Sequence, residues 1–392
     1  MSINKLYSVF IMVALFFTSC NDNGFYAPVT TITHPSGEKF ATSESCMECH
    51  ESIVNTHLKT AHFQSSSLAS SSTIGDFAGG YNSLLVNDSL AIKIEQSDSL
   101  FYHKVSNTNT GAIVDQKPID IVIGSGKKGK AYLYWQNDSL YQLHASYFTA
   151  THSLIKSPGY SSRIGLQNKR PITERCLECH TTFVQTKTKT NTYEQSQVLL
   201  GIDCQRCHGP SEQHVSFHKN NPNELDAKHM LAISSLSRQQ QMDLCALCHS
   251  GARKQAIQPR FSYKIGDQLN KSSTQDYFTT ARELDVHGNQ VGMLRASKCF
   301  QKSEAMTCTT CHNPHKNQRN DSSFFTANCI ACHQKESDIT CALPDVQKGE
   351  KDCVSCHMPK TISKTMFAKN SLANDTVNVE VISHLIGIYK TN

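Results

Sequence analysis

The order of apolar and polar residues divides the chain into a strand-like stretch and helix-like flanks. Residues 90–105 ("LAIKIEQSDSLFYHKV") and 130–145 ("KAYLYWQNDSLYQLHA") each place β-favouring residues on both sides of a polar Asp-Ser turn at Asp98 and Asp138. Alternating runs of this kind, separated by turn residues, predict β-hairpins. We therefore predict a small β-rich subdomain over residues 66–165.

Outside that stretch the apolar spacing predicts short helices. In "CMECHESIVNTHLKTAH" the apolar residues and two histidines recur at helical spacing on one face. In "SRQQQMDLCALCH", Ser237 and Gln240 have the spacing of a capping box, which predicts a helix that begins there. The expected architecture is mainly short α-helices and irregular loops, with the small β subdomain beside them.

A glycine-rich segment bears on whether the protein binds a nucleotide. From Gly124 to Gly129 the chain matches the G-x-G-x-x-G spacing after an apparent strand. A nucleotide loop needs a helix next, but "AYLYWQ" reads as a strand, and Ala131 stands where a phosphate loop needs Ser or Thr. No nucleotide partner is expected. We interpret the segment as a hairpin loop whose lysines are a docking patch for an acidic cytochrome; these are Lys127, Lys128 and Lys130.

The N-terminus has the pattern of an export signal. Lys5 precedes an apolar run over residues 6–17, which is followed by a small-residue site and Cys20. We expect a signal peptide over residues 1–19, acylation of Cys20, and a tether over residues 20–40. A plain secretory signal is the alternative. Either interpretation predicts an exported protein, and the first predicts a lipoprotein on the membrane, facing the periplasm or the outer surface.

One pentapeptide, Cys-x-x-Cys-His, carries the main chemical signal. The chain has 17 Cys and 19 His, and that composition predicts only about 0.04 copies by chance. Seven are present, so chance is excluded. They are Cys46-x-x-Cys49-His50, Cys176-x-x-Cys179-His180, Cys204-x-x-Cys207-His208, Cys245-x-x-Cys248-His249, Cys308-x-x-Cys311-His312, Cys329-x-x-Cys332-His333 and Cys353-x-x-Cys356-His357.

This spacing is typical of covalent haem attachment. Two cysteines three positions apart can add to the two vinyl groups of one porphyrin, and the next histidine then binds the iron. Zinc sites need Cys pairs grouped in fours and give no reason for the histidine. A thioredoxin-like dithiol needs one motif rather than seven, and a disulfide scaffold would not repeat one spacing. The sequence predicts seven covalently bound haem c groups.

Haem also explains the composition. The chain has one Trp, and its apolar fraction is low for 392 residues. Porphyrins bury large apolar areas, so they supply the core that the side chains do not. Their propionates would offset the formal charge of +5, so the basic sequence is no evidence for a nucleic-acid partner.

Twelve histidines lie outside the motifs, enough to give every iron a second histidine. Local sequence favours four of them as distal ligands, because each lies at a fixed offset from a motif or in an apolar segment. Two more are weaker candidates, for which His57 or His229 are the alternatives. The four are His62, His214, His315 and His384, and the two are His152 and His287.

Two cysteines remain beside the motifs and Cys20. In an oxidising compartment, Cys299 and Cys341 are expected to form a disulfide. Two unrelated thiols, or one serving as an unusual ligand, are the alternatives. The motif spacing further predicts a first haem-binding segment over residues 41–65 and a six-haem cytochrome domain over residues 166–392.

The segments "CQRCHGP", "MTCTTCHNPH" and "CVSCHMPK" resemble multihaem cytochromes c related to ammonia-forming nitrite reductase, hydroxylamine oxidoreductase and the tetrahaem cytochrome of ammonia oxidisers. The resemblance implies a compact haem cluster with stacked and perpendicular pairs. The catalytic features do not carry over, because no motif has the Lys of the nitrite reductase and no Tyr can be assigned the cross-link of the oxidoreductase. No catalytic residue is predicted.

The sequence therefore predicts a seven-haem lipoprotein that carries electrons between respiratory partners outside the cytoplasm. The expected partners are other cytochromes or quinol-linked redox proteins. The alternative is a reductase of nitrite, hydroxylamine or a sulfur oxyanion, acting at one haem with an open distal site.

Overall fold

The computed structural model describes residues 31–75, 82–160, 169–188, 190–251, 255–274, 283–333, 352–369 and 376–389. The predicted signal peptide, Cys20 and Cys341 lie outside the described residues. All 19 histidines lie within them. No helix in the described ranges combines the length and apolar character needed to cross a bilayer.

Two antiparallel sheets form the region between the first two motifs. The first sheet is a four-stranded meander in the order β2-β3-β4-β5, and the second has the order β1-β6-β7-β8-β10 with β9 also paired to β8. The strands are β1 Ser66–Leu68, β2 Ser83–Asn87, β3 Leu90–Ser97, β4 Leu100–Asn107, β5 Ile113–Pro118, β6 Ile121–Ile123, β7 Gly129–Gln136, β8 Ser139–Phe148, β9 Ser153–Lys156 and β10 Arg170–Pro171.

Both predicted hairpins are confirmed. Strands β3 and β4 pair from Leu90 to Asn107, and β7 pairs with β8 around the turn at Asn137. Alternate residues of the two sheets share one buried cluster that includes Ile92, Val105 and Tyr132. The period-two pattern therefore gives this region a core of its own, built from side chains.

The predicted fold class is wrong, because the protein is not mainly helical. Helix and strand each account for a little under a third of the described residues, about 28% and 30%. Two further hairpins lie among the haem motifs: β11 Thr181–Thr186 with β12 Tyr193–Leu200, and β13 Lys360–Lys369 with β14 Thr376–Ile382. The physical reason is that a haem motif needs only one short helical turn, so the β-branched residues that follow it remain free to pair as strands.

The helices are short, and four of the ten described end at a motif histidine. Helix α5 begins at the predicted capping box, in which the Ser237 hydroxyl accepts from the Gln240 amide and the Gln240 side chain accepts from the Ser237 amide. The helices are α1 Ser43–His57, α2 Glu174–Leu177, α3 Cys204–His208, α4 Glu212–Asn220, α5 Arg238–His249, α6 Leu269–Ser272, α7 Gln290–Ala296, α8 Lys298–Lys302, α9 Ser322–His333 and α10 Cys353–His357.

Candidate haem-binding site

One open cavity of about 3040 Å³ is lined by residues from all seven motifs. Both cysteines and the histidine of each of the first six motifs line it, and the seventh motif contributes Val354 with the adjoining Met358. Pockets for one small ligand usually measure about 300–1,000 Å³. The volume and the thiol and imidazole lining fit several porphyrins placed side by side.

Buried polar contacts hold the third motif in place. The Asp203 carboxylate caps α3 by accepting from the Gln205 amide, and also accepts from Ser43 and Thr182. The Gln205 side chain in turn bonds both the amide and the carbonyl of Ala41, which precedes α1. Burial raises the pKa of Asp203, so the cap depends on these donors. They fix the first and third motifs relative to each other.

Neighbouring motifs touch through their cysteines. The thiols of Cys46 and Cys204 lie within hydrogen-bonding reach, as do those of Cys245 and Cys308. Cys329 and Cys353 form a third such pair. These sulfurs become thioethers when haem is attached, so their proximity matters here rather than their acidity. The three contacts join motifs one to three, four to five, and six to seven.

Further contacts connect these pairs. Arg206, inside the third motif, donates to the carbonyl of Glu178 in the second motif at 2.8 Å. The Cys248 thiol of the fourth motif lies 3.7 Å from the same carbonyl. The Asn328 side chain, beside the sixth motif, lies 3.5 Å from the Cys311 carbonyl of the fifth. The seven motifs thus form one unbroken series in the order one, three, two, four, five, six, seven.

Three motif histidines each have a histidine from outside the motifs at the ring separation that two imidazoles on one iron would have. The pairs His57–His315 and His103–His144, at 6.1 and 6.2 Å, have a similar separation but contain no motif histidine. A metal–nitrogen bond of about 2 Å, plus about 1.1 Å from that nitrogen to the ring centre, places two axial ring centres about 6.2 Å apart. The ring centres of His249 and His62 are 6.1 Å apart, those of His208 and His315 are 6.1 Å apart, and those of His312 and His384 are 5.8 Å apart. The structure brings these three predicted distal histidines to three different motifs.

Hydrogen bonds at Nδ1 orient several of these rings. Nδ1 of His384 lies 2.7 Å from Oε1 of Gln290, and Nδ1 of His214 lies 2.8 Å from the Lys228 carbonyl. Nδ1 of the motif residue His357 lies 2.8 Å from the Gly387 carbonyl. Such bonds leave Nε2 for a metal and fix the direction in which it points.

The cavity keeps these imidazoles neutral. Burial lowers the pKa of His208 and of His384 to about 4, with neighbouring histidines adding to the effect. Burial also lowers the pKa of His62, His180 and His312. Only the neutral ring can bind a metal.

His214 and His287, two other predicted distal ligands, also line the cavity. They lie near the first and second motifs, whose histidines are not in the three pairs above. His287 is near enough to His180 of the second motif to contribute to its lowered pKa. His214 lies on α4, which an ion pair between Lys219 and Glu48 (2.9 Å) ties to α1 and the first motif. These positions suit distal ligation at those two motifs.

The remaining predicted ligand, His152, lies elsewhere. It follows β8 in a turn, outside the cavity lining, with its Nδ1 3.2 Å from the Tyr147 hydroxyl. The cavity instead receives His57 and His218. The four-residue spacing of His214 and His218, which aligns them on one face of α4, was the sequence signal for the latter. Nε2 of His57 lies 2.9 Å from the Ile202 carbonyl.

Cys299 lines the cavity close to the fifth and sixth motifs, and its sulfur lies 3.4 Å from the Ser297 hydroxyl. Its predicted disulfide partner lies outside the described residues, so that bond stays a prediction.

A buried ion pair supports the centre of the series. Glu178 in the second motif pairs with Arg260, and their side chains are only 7% and 11% exposed. Arg260→Ala would remove this ion pair from a buried carboxylate. We expect this change to lower the free energy of unfolding by about 3–5 kcal/mol, measured by urea titration of the holoprotein. The double variant Glu178→Gln/Arg260→Met should recover much of that loss, and an equal loss in both variants would contradict the assignment.

Comparisons with known proteins find similarity to multihaem cytochromes. Residues 133–209 match the family model described as cytochrome c554 and c-prime. A 167-residue segment is 24% identical to the multihaem cytochrome MtrA of Shewanella baltica, covering 41% of this chain. The segment spans 44% of that relative, so the match covers less than half its length.

One solved structure shares this kind of fold. The outer cell wall cytochrome OcwA superposes with a TM-score of 0.54 at 16% identity, over 88% of this chain and 79% of that one. These comparisons support a resemblance of this chain to multihaem c-type cytochromes in general. They give no support to the narrower resemblance to nitrite reductase or hydroxylamine oxidoreductase.

Proposed function

We propose that this multihaem c-type cytochrome binds seven haems and conducts electrons along them between redox partners outside the cytoplasm. The observation that carries the proposal is the unbroken series of contacts linking all seven motifs. Electron tunnelling weakens steeply with distance, so adjacent porphyrins are needed for rapid transfer. Contacts between the attachment sites of neighbouring haems provide that adjacency.

The chain's own residues set the properties of the series. The motif cysteines would hold each porphyrin, and His62, His315 and His384 would be distal ligands at the fourth, third and fifth motifs. Haem supplies the reversible one-electron chemistry. A second histidine on an iron closes its coordination, which suits a conductor rather than a catalyst. His287 and His214 are assigned to the second and first motifs on their positions.

Location outside the cytoplasm rests on the export-type N-terminus and on the attachment chemistry of the motifs. The name of the structural relative, an outer cell wall cytochrome, agrees with it. Acylation at Cys20 belongs to the same proposal. Intact-mass measurement tests both points, because it counts haems and shows any lipid on the mature N-terminus.

The function is tested by following electrons through the holoprotein. After mixing with one equivalent of the methyl viologen radical cation in stopped flow, the single electron delivered to each molecule should redistribute among the haems in a phase whose rate is independent of protein concentration. Slow, stepwise reduction whose later phases depend on protein concentration would contradict a single conducting series.

A second candidate, a reductase, is favoured by one observation. All 19 histidines are described, and four motif histidines have no ring contact with another histidine: His50, His180, His333 and His357. His214 and His287 are assigned to the first two, which leaves His333 and His357 without a candidate partner. An iron at the sixth or seventh motif would then keep an open position for a small ligand. Electron paramagnetic resonance of the oxidised holoprotein decides between the candidates: high-spin iron that shifts on adding cyanide supports the reductase, and low-spin iron throughout excludes it.

A further inference from the structure

Five cations converge on one part of the cavity rim from three separate parts of the sequence. Lys127 and Lys128 lie in the loop between β6 and β7, Lys316 and Arg319 follow the fifth motif, and Lys360 follows the seventh. All five are exposed and all line the mouth of the haem cavity. We call these five residues the rim cluster. Lys130, which the sequence grouped with the loop lysines, is not part of it, since its ammonium donates to the Thr73 carbonyl inside the β region.

The rim cluster concentrates positive charge, with the carboxylate of Glu380 nearby on the same cavity lining. Within the described part of the chain, none of the five forms an ion pair with a carboxylate. The Lys128 ammonium donates instead to the backbone carbonyl of Glu380 at 3.0 Å. Partial burial lowers the pKa of Lys128, and Arg319 and Lys360 lower it further, because like charges are held close together. Such an arrangement opposes folding unless a negative group offsets it.

Other lysines of the protein contrast with this cluster. Lys93 and Lys104 both pair with Glu95 at 2.7 and 2.9 Å, and Lys187 pairs with Asp138 and Glu194. None of these three lysines lines the cavity. The five cations of the rim cluster differ from these three in having no ion pair within the described residues and in lying where the haem cavity opens to the surface.

We infer that the rim cluster is the docking surface for a redox protein that presents an acidic face, and that electrons enter or leave the series there. The inference rests on the proposed conducting function. Cations around the place where electrons enter or leave attract an acidic partner and orient it. This attraction raises the association rate by about one to three orders of magnitude at low salt. The fifth and seventh motifs, whose following residues supply three of the five cations, would be nearest to the docked partner.

The test compares two reductants of opposite charge on the holoprotein. Flavodoxin hydroquinone is an acidic redox protein, and the methyl viologen radical is a small cation. We expect Lys128→Glu/Arg319→Glu to lower the second-order rate with flavodoxin about tenfold at low ionic strength and to flatten its salt dependence. Reduction by methyl viologen should be unchanged or faster. Lys93→Glu, a charge reversal away from the cavity, should leave the flavodoxin rate within about twofold.

The outcomes separate this inference from the proposed function. Equal loss of rate with both reductants in the double variant would mean that conduction, not docking, has been damaged, and would overturn the docking surface. An equal loss in Lys93→Glu would show that overall charge alone matters. Shifted haem potentials with an intact flavodoxin salt dependence would show that the cations serve haem propionates. If electrons delivered by methyl viologen fail to redistribute among the haems within the unaltered protein, the conducting series itself is wrong.

Discussion

Protein produced without haem attachment is expected to lack a cooperative native state. The motifs line a cavity of about 3040 Å³, and a buried void costs about 24 cal/mol per Å³. Even one tenth of that volume left dry would cost about 7 kcal/mol, comparable with the whole stability of a typical domain, about 5–15 kcal/mol. Flooding the cavity instead would expose its apolar lining to water.

The measurement is thermal unfolding by circular dichroism together with limited proteolysis. Chains expressed with and without the c-type maturation machinery should differ, with a sharp transition only in the haem-loaded protein. The two-sheet region between the first two motifs has its own side-chain core and is expected to survive proteolysis best. A haem-free chain with the same transition temperature as the holoprotein would contradict this prediction.

Replacing His384 by methionine is expected to change one haem in seven. The ring centres of His384 and His312 are 5.8 Å apart, and Gln290 directs the His384 ring through Nδ1. A thioether in place of the second imidazole raises the reduction potential of the iron it binds. A redox titration followed by absorbance should show about one seventh of the haem titrating at higher potential, with the rest unchanged.

A control variant keeps this result specific. His144→Asn alters a histidine on β8 that rests against Tyr160 outside the cavity, so all seven haems should titrate as in the unaltered protein. If His384→Met leaves the titration unchanged, His384 is not the distal ligand of the fifth motif. Loss of haem from the purified variant would instead show that the residue is needed for assembly.

Features that depend on neighbouring residues could be predicted from the sequence. The hairpins at Asp98 and Asn137 and the capping box at Ser237 were readable, because each depends on residues within a few positions of one another. The hairpins after His180 and His357 were missed. The sequence predicted helices there because each segment follows a haem motif, although the motif itself requires only one helical turn.

Long-range relations were not readable in the same way. The sequence favoured His315 and His384 as distal ligands but assigned neither to a motif, and it gave His152 the same standing as His287. The structure separates that last pair, since His287 reaches the cavity and His152 bonds to Tyr147 in a turn. The sequence identified two members of the rim cluster, Lys127 and Lys128, in one loop. Arg319 and Lys360 come close to them only in the folded protein.

The sequence by itself determined the attachment chemistry, because two thioethers and one proximal imidazole need only five consecutive residues. It also determined two hairpins of the β region, β3 with β4 and β7 with β8, through their period-two pattern. Only the tertiary structure decided which histidine faces which motif, in what order the motifs touch, and where unpaired cations collect. Those relations join residues far apart in the chain, such as Cys46 with Cys204 and Lys128 with Arg319, and their spacing is fixed by packing rather than by sequence separation.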